Sequence, residues 1–288
     1  MQSPIAKSAP VAASARRLQF ERVGYLVLPG FKRADELAAL RRRAHEIVAA
    51  FEPGATRNVF TTHDQARTTT ADFLASAEGV HCFFEEEALD ADGNLRVPKA
   101  RSINKIGHAL HDLDPEFEHF SHGPELDALA RELGLAEPQL WQSMLIFKQP
   151  AIGGEVNWHQ DATFLHTTPC SVIGFWFALE DATRDNGCLW VEPGGHRGPL
   201  RERLLREGAN TRMEVLDRTP WPTQERAVAL EVAAGALVVF HGLLPHYSAP
   251  NRSAASRLAY TLHATDARSE YAADNWLQRP TLPLRGFV

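Results

Sequence analysis

Three residues, His159, Asp161 and His246, constrain the fold of this 288-residue chain more than any other feature. His159 and Asp161 stand two positions apart, so on an extended backbone their side chains leave the same face and can grip one ion. They lie in Glu155-Val156-Asn157-Trp158-His159-Gln160-Asp161, after the Gly153-Gly154 turn signal and before an apolar, β-rich run, which places them at the mouth of a strand. His246 comes 85 residues beyond Asp161, a separation that only a folded sheet or barrel brings back to the start. Two imidazoles and a carboxylate suit Fe(II) in an oxygenase and leave the opposite coordination positions open for a co-substrate and dioxygen. Thirteen histidines make chance His-x-Asp pairs common, so the weight falls on context. Part of that context is Arg257, eleven residues after His246 in the alternating run Arg257-Leu258-Ala259-Tyr260-Thr261-Leu262-His263. A guanidinium fixed there can clamp a dicarboxylate bidentately.

The rest of the chain supplies the strands that such a return needs. The segments Gln139 to Phe147, Val172 to Leu179, Leu189 to Val191, Val228 to Val232, Ala236 to Phe240 and Arg257 to Ala264 are β-branched or aromatic-rich and bounded by Gly, Pro, Asn and Asp. Ahead of them, Gly24 to Gly30 reads as a short strand ending in a turn. The spacing of Leu37, Leu40, Ala44, Ile47, Val48 and Phe51 predicts an amphipathic helix from Ala34 to Phe51, with Arg41-Arg42-Arg43 mostly on its solvated face. A second helix is expected from Pro124 to Leu133, with Pro at its start and Gly134 past its end. Residues 52 to 100 read as loops forming a mobile rim, with one strand over Gly79 to Phe84. Gly198 to Glu225 reads as an insertion loop, helical around Leu200 to Arg206. The fold class is therefore mainly β with flanking helices: a double-stranded β-helix, or jelly-roll barrel, buttressed by helices.

With 44% apolar residues, mixed charges and no low-complexity tract, the chain reads as one globular domain over residues 18–288 behind a disordered tail over 1–17. Arg16 and Arg17 with no acid before Glu21 give that tail a faint transit-peptide texture. A net charge of −6 offers nothing to nucleic acid or to an anionic membrane. No apolar run is long enough to span a bilayer. Three scattered cysteines, Cys82, Cys170 and Cys188, lack metal or redox spacing and point to reduced thiols in the cytoplasm. Nothing in the sequence bears on oligomeric state.

Several motifs together resemble the phytanoyl-CoA dioxygenase family. They are Trp158-His159-Gln160-Asp161-Ala162-Thr163-Phe164-Leu165, Glu180-Asp181-Ala182-Thr183, Asn186-Gly187-Cys188-Leu189-Trp190, Pro193-Gly194-Gly195-His196 and His246-Tyr247-Ser248 with Arg257. Ser102 to His111 and Asn275-Trp276-Leu277-Gln278 narrow the resemblance to one branch of that family, over about residues 18 to 280. The resemblance implies an Fe(II)- and 2-oxoglutarate-dependent dioxygenase on a double-stranded β-helix, consuming O2 and releasing succinate and CO2. It makes His159, Asp161 and His246 the iron ligands and catalytic residues. It makes Arg257 the partner of the distal carboxylate of 2-oxoglutarate, with Ser248 beside it and Lys105, Met144 and Trp176 lining the same pocket. One departure is Gly195, where the family usually carries Ser. His196 reads as a turn residue, and His241, without the following Ser and Arg spacing, is not the third ligand. Halogenases of related type lack the carboxylate that Asp161 supplies, so hydroxylation is expected.

The substrate expected is a small molecule or an acyl thioester, with His108, Trp158 and Phe164 at its rim. Arg197, Arg201, Arg203 and Arg206 could meet the phosphates of an acyl-CoA or simply form a solvated face. Two other readings fit the donor set: a cupin-like hydrolase or isomerase using zinc or manganese, and a non-catalytic sensor of 2-oxoglutarate or iron.

Overall fold

The structure is a computed structural model and describes residues 13–53, 58–60 and 70–288. A helix over Ala15–Val23, capped by the Ser14 hydroxyl, begins inside the expected tail, and residues 1–12 lie outside the described residues. Most of the rim expected over residues 52–100 is described, but 54–57 and 61–69 are not.

The first four strands are β1 (Tyr25–Leu28), β2 (Val59–Phe60), β3 (Val80–Glu85) and β4 (Ile103–His108), followed by β5 (Pro138–Lys148) and β6 (Val156–His159). Then come β7 (Thr167–Thr168), β8 (Ile173–Ala178), β9 (Leu189–Val191), β10 (Glu202–Glu207) and β11 (Asn210–Val215). The last are β12 (Val228–Leu230), β13 (Leu237–His241), β14 (His246–Ser248), β15 (Arg257–Asp266) and β16 (Glu270–Tyr271). Eight of them form one sheet in the order β1-β13-β8-β15-β5-β4-β3-β2, and four form a second in the order β12-β9-β14-β6. This is the expected double-stranded β-helix, as two separately hydrogen-bonded sheets rather than one closed barrel.

Strand parity divides the interior. On β15, Leu258, Tyr260 and Leu262 join Phe117, Phe120, Leu37 and Leu40 in a core between the large sheet and its helices. That face is covered by the helices Ala34–Ala50 and Pro124–Glu132, close to their expected spans. The alternate residue Ala259 packs instead with Trp176, Val238, Phe240, Leu189 and Val191 between the two sheets. Arg257, Thr261 and His263 share that inward parity.

One expectation is corrected. Residues 202–215 are neither loop nor helix but the antiparallel hairpin β10–β11, turning at Gly208-Ala209 between the paired Glu207 and Asn210. Leu204 packs with Met213, Trp276 and Leu165, which ties the hairpin to the body of the fold.

Candidate metal centre and its cleft

The three residues that open the sequence converge. His246 on β14 is the direct cross-strand partner of His159 on β6, so the long return closes on adjacent strands. Their rings are 4.0 Å apart. Asp161, in the short turn Asp161–Thr163 just past β6, brings Oδ1 to 3.9 Å from His159 Nε2 and 3.6 Å from His246 Nε2. One donor atom from each of the three lies within 4.8 Å of the others, the only such grouping that could hold a metal ion among the described residues.

Backbone carbonyls set the tautomers. His159 Nδ1 lies 2.8 Å from the Asn157 carbonyl and His246 Nδ1 lies 3.0 Å from the Leu244 carbonyl. A carbonyl only accepts, so each Nδ1 carries the proton and each Nε2 keeps a lone pair facing Asp161. Burial, reinforced by His246, lowers His159 to about 3, which leaves its imidazole neutral. Burial pulls the Asp161 carboxyl up, but His263, His246 and His159 together hold it below its ordinary range, so it is anionic.

The sequence reading missed His263, whose Nε2 stands 3.1 Å from Asp161 Oδ2. Its parity with Arg257 on β15 was the available signal. Gly174, paired with His263, leaves the room: a Cβ there would lie 2.7 Å from Asp161 Oδ2. His263 thus stands beside one Asp161 oxygen, and the other faces His159 and His246. Gln160, fully buried between the two donors, gives its amide to the Pro199 and Leu243 carbonyls and accepts from the Arg201 N–H. It ties this strand end to the approaches of β10 and β14.

A cleft opens over the donors. Of the residues expected at the site, Lys105, His108, Met144, Trp158, His159, Asp161 and Phe164 border it. Phe60 and Phe73, from the 52–100 segment expected as a rim, border it too, as do Trp276, Glu202 and Met213, which were not foreseen as site residues. Lys105 is buried with its ammonium 3.5 Å from the centre of the Phe60 ring, and burial lowers it to about 7. His108 is held by Ser76 and packed edge-on against Trp276, and burial pushes it well below its ordinary value. Trp158 stacks on Tyr247, and Phe164 meets His159 edge-on.

His246, Trp176, Ser248 and Arg257 do not border this cleft. Ser248 donates to the Gly187 carbonyl. Arg257 lies 5.5 Å from the Trp176 ring, is 2% exposed, and keeps Nε and Nη1 without a hydrogen-bond partner among the described residues. Desolvation lowers it to about 10, so it remains a cation. Orphaned donors on a buried guanidinium are costly, about 1–3 kcal/mol each, and a carboxylate supplied by a ligand is the group they fit.

The rejected histidines sit elsewhere. His196 faces the Glu21 carbonyl, and His241 accepts from the Leu243 N–H. At Gly195 a Cβ would come 2.8 Å from Pro245 and 2.9 Å from Glu192, so a serine could enter only if these moved.

Fold and site together define a double-stranded β-helix protein with a two-histidine, one-carboxylate donor set. The family model for phytanoyl-CoA dioxygenase (PhyH) matches residues 20–259, and the chain belongs to that family. It is 46% identical over 267 residues to phytanoyl-CoA dioxygenase 1 of Oryza sativa subsp. japonica, covering 92% of this chain and 93% of that one. It is also 46% identical to phytanoyl-CoA dioxygenase domain-containing protein 1 of Bos taurus, covering 92% and 94%. Among solved structures, EctD from S. alaskensis with 2-oxoglutarate and 5-hydroxyectoine aligns at TM-score 0.62 and 22% identity, over 98% of this chain and 88% of that one. The α-ketoglutarate-dependent carbocyclase SnoK from nogalamycin biosynthesis gives 0.62 and 20%, over 93% and 90%. At these identities the structures speak to the fold. No helix among the described residues is long and apolar enough to cross a membrane.

Proposed function

We propose that this chain is an Fe(II)- and 2-oxoglutarate-dependent dioxygenase that hydroxylates a C–H bond of a small molecule or acyl thioester. The observation that carries the reading is the pairing of a converged donor set with an unsatisfied buried arginine on the same inward parity. His159 Nε2, Asp161 Oδ1 and His246 Nε2 would hold the iron, and Arg257 would take the distal carboxylate of 2-oxoglutarate. Lys105, Met144, Trp176 and Ser248 would form the rest of the co-substrate pocket. When bound, iron and 2-oxoglutarate supply an oxidation of the co-substrate by O2, to succinate and CO2, coupled to hydroxylation.

The protein's own share is ligation, orientation and exclusion. The Asn157 and Leu244 carbonyls fix which ring nitrogen is free, and His263 stands 3.1 Å from the second oxygen of Asp161. Trp158, Phe164 and Trp276 shield the donors from water and hold a substrate in one place. The test is succinate formation by anaerobically iron-loaded protein given 2-oxoglutarate and air, with Asp161→Ala alongside. Iron-dependent succinate that disappears in the variant, with circular dichroism unchanged, is expected. Bound 2-oxoglutarate without succinate, even with a pooled metabolite extract present, would favour a sensor. Activity with zinc or manganese and no need for 2-oxoglutarate would favour a hydrolase or isomerase.

A further inference from the structure

Five aromatic side chains, Phe60, Phe73, Trp158, Phe164 and Trp276, wall the cleft, and Phe73 and Trp276 stack with ring centres 4.4 Å apart. Into these walls the hairpin carries one carboxylate, Glu202, from a strand that packs beside the Asp161–Thr163 turn. The Glu202 side chain makes no hydrogen bond or ion pair with the described residues. Burial pushes its carboxyl up, and Arg201 only partly offsets this. A half-buried carboxylate without a partner gains more from a cation than an exposed one does, because less water competes.

The other charges are committed. On the proposed reading Asp161 is neutralised by the metal, while Arg257 and Lys105 face the co-substrate, so among the described residues of the cleft Glu202 is left as the charge that meets the substrate. None of the arginines that could receive the phosphates of an acyl-CoA borders the cleft. Arg197 binds the Arg22 carbonyl, Arg201 is buried 4.5 Å from the Trp221 ring, Arg203 pairs with Asp274, and Arg206 binds the Gly208 carbonyl. Among the described residues a polyanion approaching this cleft meets the Glu202 carboxylate, and the only Lys or Arg on its lining is Lys105, which the proposed reading gives to the co-substrate.

We propose that the substrate is a compact, largely apolar molecule bearing a basic nitrogen, which Glu202 binds as a cation between the aromatic walls. Glu202 and the hairpin that carries it thereby determine specificity. This inference rests on the dioxygenase reading for which bond is attacked, but the binding it asserts can be measured without turnover.

The experiment titrates the full chain with four probes, n-hexylammonium, n-hexanol, n-hexanoate and hexanoyl-CoA, and follows tryptophan fluorescence, since Trp158 and Trp276 border the cleft. Hexylammonium is expected to bind about tenfold tighter than hexanol, a difference of about 1.4 kcal/mol, with hexanoate and hexanoyl-CoA weaker still. Glu202→Gln should bring hexylammonium to the level of hexanol. Glu202→Lys should reverse the order in favour of hexanoate, a reversal that unfolding cannot produce. Equal affinities for all four, tighter binding of hexanoyl-CoA, or an unchanged order in both variants would overturn the proposal. Binding of 2-oxoglutarate to the iron-loaded wild-type protein, measured separately, decides the dioxygenase reading. Its absence would sink that reading and leave the probe order standing on its own.

Discussion

Arg257 shows how one residue can be structurally expensive and functionally explained. A guanidinium at 2% exposure with two unpaired nitrogens lowers stability unless an anion arrives. Arg257→Ala is therefore expected to weaken 2-oxoglutarate binding by two orders of magnitude or so, consistent with loss of about 2–3 kcal/mol from a charge-assisted pair. Metal affinity in the same variant, read by calorimetry with Mn(II), should change little. Equal losses of both would mean that the residue serves the fold instead. Lys105 makes a prediction in pH. Burial lowers it to about 7 from an ordinary 10.5, so between these values the unfolded chain holds a proton that the folded chain does not. The cost is fully present below pH 7 and is relieved as pH rises toward 10.5. Wild-type protein should gain stability in urea between pH 7 and 9.5 relative to Lys105→Met, and parallel pH profiles would refute the assignment. The donors were legible because spacing and chemistry coincided in three residues. His263 was not, because a single histidine in an apolar strand looks like any satisfied core residue until parity aligns it with Arg257. Glu202 was hidden for a different reason: its neighbours Arg201, Arg203 and Arg206 made the segment read as a charged surface.

Elements whose two faces differ were readable, and the one whose faces match was not. The helix Ala34–Ala50 buries Leu37, Leu40, Ala44 and Val48 on one side, and that periodicity survives in the sequence. In β10 the adjacent Leu204 and Leu205 are both buried, on opposite faces, so alternation is lost and the segment mimics one turn of helix. β8 carries its own test. Gly174→Ala would place a Cβ 2.7 Å from Asp161 Oδ2 and 2.6 Å from the Phe240 ring. Overpacking of this kind costs about 1–3 kcal/mol, and the displaced carboxylate should lower Mn(II) affinity about tenfold or more. Mn(II) titration checks this, and an unchanged affinity would show that Asp161 can move aside without consequence.

Two sheets enclose one interior, and the helices on the outer face of the larger sheet leave the cleft side free for loops and the β10–β11 hairpin. The fold class, a double-sheet jelly roll, was legible from strands bounded by turn residues, but the order in which those strands pair was not, because pairing partners far apart in sequence leave no local trace. At this scale ligation acts by mass action: a metal and co-substrate that bind only the folded chain, at a hundred times their dissociation constant, add about 2.7 kcal/mol. Mn(II) with 2-oxoglutarate should raise Tm by several degrees in the wild-type protein and not in Asp161→Ala; scanning calorimetry on both decides it. β6 is the outermost strand of the four-stranded sheet, only four residues long and half-buried, with β14 as its sole neighbour in that sheet. Its one histidine, His159, faces His246 across that junction. An ion gripped by both rings would therefore rivet one margin of the sheet to its interior, and a chain ending short of residue 246 would have no second plate to fasten. Retained metal would then mark a molecule in which β6 and β14 have closed on one another.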